Sequence, residues 1–413
     1  MGRAMIKQSN VKAAENISGI NMYMELWKEG KIRDFAEVKG GKRLPKGKTL
    51  VEYRTPHPYI RIRDIGKEKI LQLTDEYEYV DAVTQKEISK YTVSKGDILI
   101  SVVGTIGLVG IVGSSLDGAN QTENCDKISN INGLDSDFLY YYLISPLGQA
   151  EIKKGTVGAV QPKLPLKNIQ DLPIRYPPLE TQRKISSLLS MIDAKISVNT
   201  KVNDNLQQQA QAIYKHLIVD NSQASWTPGH LSDIAIVTMG QSPKGESYNE
   251  EGAGTIFFQG RAEFGFRFPT RRLYTTEPKR MANANDVLMS VRAPVGDINV
   301  AYEDCCIGRG LGSIRSKDGH QSFILYTMLA IREQLEVFNG EGTVFGSINR
   351  DALNSLSINI PPIELVNQFE SIVAPMDATI RNNYDEICNL QVLRDNLLPR
   401  LMSGEIDVSD IEL

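Results

Sequence analysis

Pro177-Pro178-Leu179-Glu180-Thr181-Gln182 opens a helical pattern that runs to about Ile218, and Pro361-Pro362-Ile363-Glu364 opens an equivalent one ending near Met402. A shift of 184 residues lays the first on the second. Ile185 then falls on Phe369, Leu189 on Val373, Ile192 on Met376 and Ile196 on Ile380. Asn199 falls on Asn383, Leu206 on Leu390, Ile213 on Leu397 and Leu217 on Leu401. Steps of four and three alternate, which is the spacing of a coiled-coil seam. Asp193-Ala194 also matches Asp377-Ala378. Each helix would be a rod of about 60 Å at about 1.5 Å per residue. Two unrelated surface helices share a period, but not a seam Asn, an Asp-Ala pair and a Pro-Pro start. A seam Asn lowers stability and fixes register or partner, so Asn199 and Asn383 are expected near each other or near another polar group.

The segments before the rods repeat as well. Trp27, Gly30, Asp34, Ala36, Val38, Gly41 and Pro45-Lys46-Gly47 recur as Trp226, Gly229, Asp233, Ala235, Val237, Gly240 and Pro243-Lys244-Gly245. Gly96-Asp97-Ile98-Leu99-Ile100-Ser101 matches Asn285-Asp286-Val287-Leu288-Met289-Ser290, and Gly155-Thr156-Val157 matches Gly342-Thr343-Val344. Apolar β-branched runs broken by glycine predict strands over 98–103 and 108–112, and over 287–291 and 298–302. Helical stretches are expected over 137–150 and 322–338. The fold class is therefore α+β: two tandem-duplicated globules separated by two long helices that form an antiparallel coiled coil about a pseudo-two-fold axis. The expected division is a tail over 1–22, globules over 23–178 and 222–361, a central helix over 179–221 and a C-terminal helix over 362–413. Pro375 inside the second rod predicts a kink or a late helix start.

Composition excludes several classes. No run approaches the roughly 18 apolar residues of a membrane span, and residues 1–10 lack the apolar stretch of a signal peptide. Four cysteines show no CxxC spacing and only four histidines are present, so neither a zinc site nor a disulfide framework is expected, and a cytoplasmic setting fits. The stretch 41–49 nearly spells a phosphate-binding loop but has one residue too many between its glycines. Asn359-Ile360-Pro361-Pro362 departs from the amino-methyltransferase motif at Ile360 and Ile363, and its counterpart Arg175-Tyr176-Pro177-Pro178 has no amide. The Pro-Pro pairs are helix-start punctuation. No HExxH, GxSxG or Cys/His cluster is present, and no catalytic residue is assigned.

Local charge is the positive signal. The whole chain carries a net −4, yet Trp27 to Arg63 holds eleven Lys/Arg against four Asp/Glu. Lys42, Arg43, Lys46, Lys48, Arg61 and Arg63 stand there, with Lys163 later in the same globule. The second globule offers Gln241, Lys244, Arg261, Arg271, Arg272, Arg292 and Arg309, interleaved with Phe264, Phe266 and Phe268. Phosphates are contacted by Lys and Arg, and base edges are read best by Arg, Lys, Asn and Gln. A single such cluster is commonly a solvated face. Its recurrence at one place in two globules favours double-stranded DNA.

From Trp27 to Asp407 the chain resembles the specificity subunits of type I restriction–modification systems. The resemblance rests on Pro177, Pro178, Glu180 and Gln182, the repeated rods, the Trp-x-x-Gly openings, Gly96–Ser101, Ser290–Asp297 and the ending Leu398–Ile406. Val366 stands where Gln182 stands in the first copy, a departure from the motif. The resemblance implies two target-recognition domains, each reading half of a split DNA site, and rods that set the spacer and dock two modification (methyltransferase) subunits, with restriction subunits joining. S-adenosylmethionine, ATP and Mg would belong to those partners, and this chain would hold no cofactor and no metal and catalyse nothing. An isolated chain could pair with itself as a homodimer through rod surfaces meant for a partner. The competing reading is a protein-interaction scaffold that does not bind DNA, and a third is an enzyme acting alone on DNA.

Overall fold

The structure, a computed structural model, describes residues 26–222, 226–339 and 346–411. The expected tail and the Gly342-Thr343-Val344 half of one repeat lie outside them. The described chain forms two compact units, one of residues up to 198 with 386–413, the other of 199–385. Each unit therefore takes a globule together with part of both rods.

In the first unit a five-stranded sheet has the order Glu37–Gly40, Cys125–Ser129, Ile98–Ser101, Val109–Val112, Ile70–Leu71. Ile98, Leu99 and Ile100 are fully buried, because this strand has neighbours on both sides and packing on both faces. Gly96 precedes it at φ +88°, and the Asp97 carboxylate accepts from Ser94 N at 2.8 Å. The Gly-Asp pair of the sequence is thus a left-handed turn with its own side-chain cap. Lys28–Lys31 pairs antiparallel with Pro173–Tyr176 and leads the chain into the first rod, Leu179–Tyr214. Helices Ser136–Ile144 and Pro146–Gly155 replace the single helix expected, divided where Ser145 caps the second and Pro146 supplies its first turn.

The second unit repeats this plan. Ala235–Met239, Leu311–Ser316, Val287–Ser290 and Ile298–Val300 form the sheet, in that order. Asn285 takes the left-handed place of Gly96 at φ +71°, and Asp286 caps Asn283 N at 2.8 Å. Thr227–His230 pairs with Ser357–Ile360 ahead of the second rod, Ile363–Ser403. The expected helix over 322–338 is Gln321–Ala330 followed by Arg332–Glu336.

The rods run antiparallel within each unit. In the first, Arg394 meets Asp193 at 3.1 Å and Lys195 meets Glu386 at 3.2 Å, while Ile185 and Leu189 are fully buried with Leu398, Leu401 and Met402. In the second, Asn383 Nδ2 donates to Asn203 Oδ1 at 2.8 Å, and Val366, Phe369, Val373 and Ile380 are buried. Each such side chain contributes about 1.5–3 kcal/mol.

Three expectations need correction. The buried positions of the first rod are Ile185, Leu189, Ile192 and Asn199 and then Asn203, Ala210, Tyr214 and Ile218, while the expected Ile196, Leu206, Ile213 and Leu217 are half-buried. A straight helix drifts about 20° per heptad from a strict seven-residue repeat. The later part of the rod also packs on its own globule, where Tyr214 donates to Thr327 Oγ1 at 3.0 Å and its ring meets Phe369 at 5.4 Å. Asn383 has a polar partner there, as expected, and Asn203 supplies it. On the second rod Met376, Asn383, Leu390 and Leu397 are half-buried, and Leu398 and Met402 join Leu401. Secondly, of the two outcomes expected at Pro375 the late start does not occur, since the helix begins at Ile363 and runs through it. Thirdly, it stops at Ser403, where Gly404 turns at φ +79° and the chain beyond lays Val408 into the first core.

Candidate nucleic-acid interface

Each unit places a short parallel strand pair at equivalent positions of its globule. Tyr59 and Ile60 pair with Asn120 and Gln121, and Phe257 and Phe258 pair with Cys306 and Ile307. Parallel neighbours end together, so three loops meet at their C-terminal ends. In the first unit Thr122 N donates to Ile60 O at 3.1 Å, Lys42 N to Gln121 O at 3.2 Å, and Tyr59 Oη to Lys42 O at 2.9 Å. In the second, Gly308 N donates to Phe258 O at 2.8 Å and Gln241 N to Ile307 O at 2.9 Å. Gly41 and Gly240 hold the same place. A methyl group on either would overlap a carbonyl oxygen of the facing loop, that of Thr122 or Gly308. These glycines are there for close backbone approach.

The junction gathers much of the predicted basic set. Lys42, Arg43, Arg61 and Arg63 surround it in the first unit, all exposed. Gln241, Arg261 and Arg309 surround it in the second, with Lys244 just beyond, again exposed. Lys46 and Lys48 continue the first loop, the former exposed and the latter half-buried. Lys163 bridges Val103 and Val157, and Arg292 bridges Ser347 at the corresponding place in the second unit. Sequence order hides this equivalence, because the cation sits on opposite partners of the two bridges.

Carboxylates that the sequence reading missed hold many of these guanidinium groups. Arg43 pairs with Glu123 at 2.7 Å, Arg63 with Glu78 at 2.7 Å, and Arg61 with the same Glu78. Arg261 pairs with Asp297, Arg271 with Glu303 at 2.6 Å, and Arg272 with Glu263 at 2.5 Å and Glu250 at 3.3 Å. Hydrogen bonding to Glu263 lifts the Arg272 pKa above its ordinary value. Water screens ion pairs on exposed guanidinium groups and leaves them weak, so a phosphate can displace the carboxylate. Lys42, whose Nζ lies 5.6 Å over the Tyr91 ring, forms no ion pair among the described residues, and neither do Lys46, Lys48, Lys163, Lys244, Arg292 and Arg309.

A cavity of about 450 Å³ beside Gln121 and Tyr91 adds Lys39, Lys90 and Lys127 to the first junction. Among the described residues no group of His, Cys, Asp and Glu is arranged to hold a metal ion. No described helix is long and apolar enough to cross a membrane. Exposed cations around a fixed backbone junction suit binding along a phosphate backbone, with Gln241, Arg61 and Arg309 able to meet base edges.

Two copies of a recognition fold, each with a basic loop junction, define a DNA-specificity protein. The chain belongs to the family described as type I restriction modification DNA specificity domain, which it matches over residues 24–208 and 224–387. It is similar to the putative type I restriction enzyme MjaX specificity subunit of Methanocaldococcus jannaschii, with 30% identity over 97% of this chain and 98% of that one. The type I restriction enzyme MjaIX specificity subunit of the same organism is 24% identical over 93% and 94% of the two chains. The crystal structure of a type I restriction-modification system S subunit from M. genitalium shares the fold, with a TM-score of 0.57 and 17% identity over 91% and 96% of the chains.

Proposed function

We propose that this specificity subunit reads a split DNA target, one half-site per recognition domain, with the paired rods setting the spacer. The observation that carries the reading is the three-loop junction, built twice on one backbone plan with different side chains: Lys42, Arg43 and Arg61 in one, Gln241, Arg309 and Arg261 in the other. Equal scaffolds with unequal side chains call for unequal half-sites. The rods would dock two modification subunits, and restriction subunits would join the assembly. Met191, Val198 and Val202 on the first rod and Ile372, Val392 and Leu393 on the second stay exposed, and they support a protein partner. S-adenosylmethionine, ATP and Mg would be bound by those partners, and methylation and cleavage would be theirs.

Mapping methylated adenines across the source genome with and without this gene tests the reading. Loss of one split motif with a fixed spacer is expected. Loss of a continuous motif, or no change while the modification subunit remains active, would overturn it.

A further inference from the structure

The repeated Asp193-Ala194 and Asp377-Ala378 pairs are not explained by a seam. Neither Asp occupies a seam position, yet both are kept at equal places on the two rods. In the first unit Tyr141 Oη donates to Asp193 Oδ2 at 2.6 Å. In the second, Tyr326 Oη donates to Asp377 Oδ1 at 3.0 Å. Both tyrosines are fully buried, on equivalent helices of their globules.

A buried cation joins each pair. Lys69 Nζ lies 4.6 Å over the Tyr141 ring, donates to Ser190 Oγ on the rod at 2.7 Å and meets Asp137 at 3.0 Å. Arg267 donates to Tyr326 Oη at 3.0 Å and meets Asp377 at 3.2 Å. Their side chains are 12% and 5% exposed. The two cations occupy one position of the fold. Ile111 N donates to Lys69 O at 2.8 Å, and its equivalent Val300 N donates to Arg267 O at 2.9 Å. Just upstream on the same segments stand Arg61 and Arg63, and Arg261, the cations of the loop junction.

We infer that Lys69 and Arg267 are positioning residues, each tying the recognition segment of its globule to the rod through a Tyr–Asp pair. A buried ion pair is a poor source of stability, since apolar side chains of like volume do as well or better. What a cation, a phenol and a carboxylate add is geometry, because each hydrogen bond has a direction. The clamp therefore fixes the attitude of the loop junction on its rod. In unit 2 the same Arg267 also lines a cavity of about 380 Å³ against Ala374 and Ala378, so packing alone does not hold the segment there.

The inference rests on the split-site reading for its consequence in DNA, and two measurements on the full chain separate them. The first compares affinity for DNA with the correct spacer and with one base pair more or less. Arg267→Met is expected to reduce that discrimination at least fivefold, whereas Arg267→Lys, which copies the cation of the first unit, retains it. The second uses spin labels at Ile236→Cys and Ile372→Cys, both exposed, in a background with Cys388 replaced by Ser. The distance distribution is expected to broaden with Arg267→Met and stay narrow with Arg267→Lys. Unchanged widths in both variants would overturn the clamp, even if Arg267→Met melts earlier. A parent chain with no spacer preference would overturn the split-site reading, and the label widths would still decide the clamp.

Discussion

Replacing Lys42, Lys46 and Lys48 by Ala together removes three cations of the first junction that form no ion pair among the described residues. Each Lys lost from a phosphate should reduce the slope of log K against log salt by about 0.9, so the triple variant should lose about 2.7. At about 0.15 M salt that corresponds to about fivefold per contact, about 150-fold in all, or about 3 kcal/mol. Arg43→Ala supplies the contrast. Arg43 is already matched by Glu123 at 2.7 Å, and when the arginine moves to a phosphate the freed carboxylate recruits a cation from solution. Net counterion release is then near zero, and the slope should barely change. Fluorescence anisotropy on the mapped target over about 50–400 mM salt reads both slopes. Lys42 and Lys46 are exposed, so melting should not move much. An unchanged slope in the triple variant, or a full-sized loss in Arg43→Ala, would refute the assignment of unpaired lysines to phosphate.

Three further outcomes are expected. Gly240→Ala pushes a methyl group into the Gly308 carbonyl and should cost about 1–3 kcal/mol of stability while weakening only the half-site of the second domain; footprinting that shows both halves weakened equally would count against the junction. Burial pushes the Asp126 pKa up to about 6 from 3.8, with Lys163 pulling the other way. Its folded-state pKa is raised, so its contribution to stability is complete below about pH 4 and lost as pH rises through about 6. Asp126→Asn should therefore raise the melting temperature at pH 7 and leave it unchanged at pH 4, and equal shifts at both values would contradict the burial account. Replacing Asn203 and Asn383 by Leu together removes the seam amide pair; a midpoint higher by a few degrees (about 1 kcal/mol at this size) is expected in calorimetry, with more than one species in native mass spectrometry as register control is lost. A lower midpoint would mean that the amides act in stability.

The duplication was legible because a rod imposes one spacing on many residues at once. Pro177-Pro178 and Pro361-Pro362 and the seam through Asn199 carry that spacing, and the Trp27 and Trp226 openings repeat ahead of the rods at their own offset. The later seam was not legible, since Ala210 and Tyr214 are buried by the globule packed beside them and not by heptad geometry. The basic residues could be found from local charge, but their partners could not. Glu123 lies 80 positions from Arg43, and Asp297 lies 36 from Arg261. Only the folded sheets bring those loops together. The repeated Asp-Ala signal was visible, yet its meaning needed Tyr141 and Lys69, which the sequence places far from it.

The first unit is assembled from two stretches of chain separated by the whole of the second. Its core includes Leu398, Leu401, Met402 and Val408. During synthesis the second unit, being continuous, can close as soon as its own residues have left the ribosome. The first must wait, with the apolar edge of Ile185 and Leu189 uncovered, until residues after 386 emerge. Arrested nascent chains should then show protease protection of the later domain before the earlier one, an inversion of the usual order in which a two-domain chain matures.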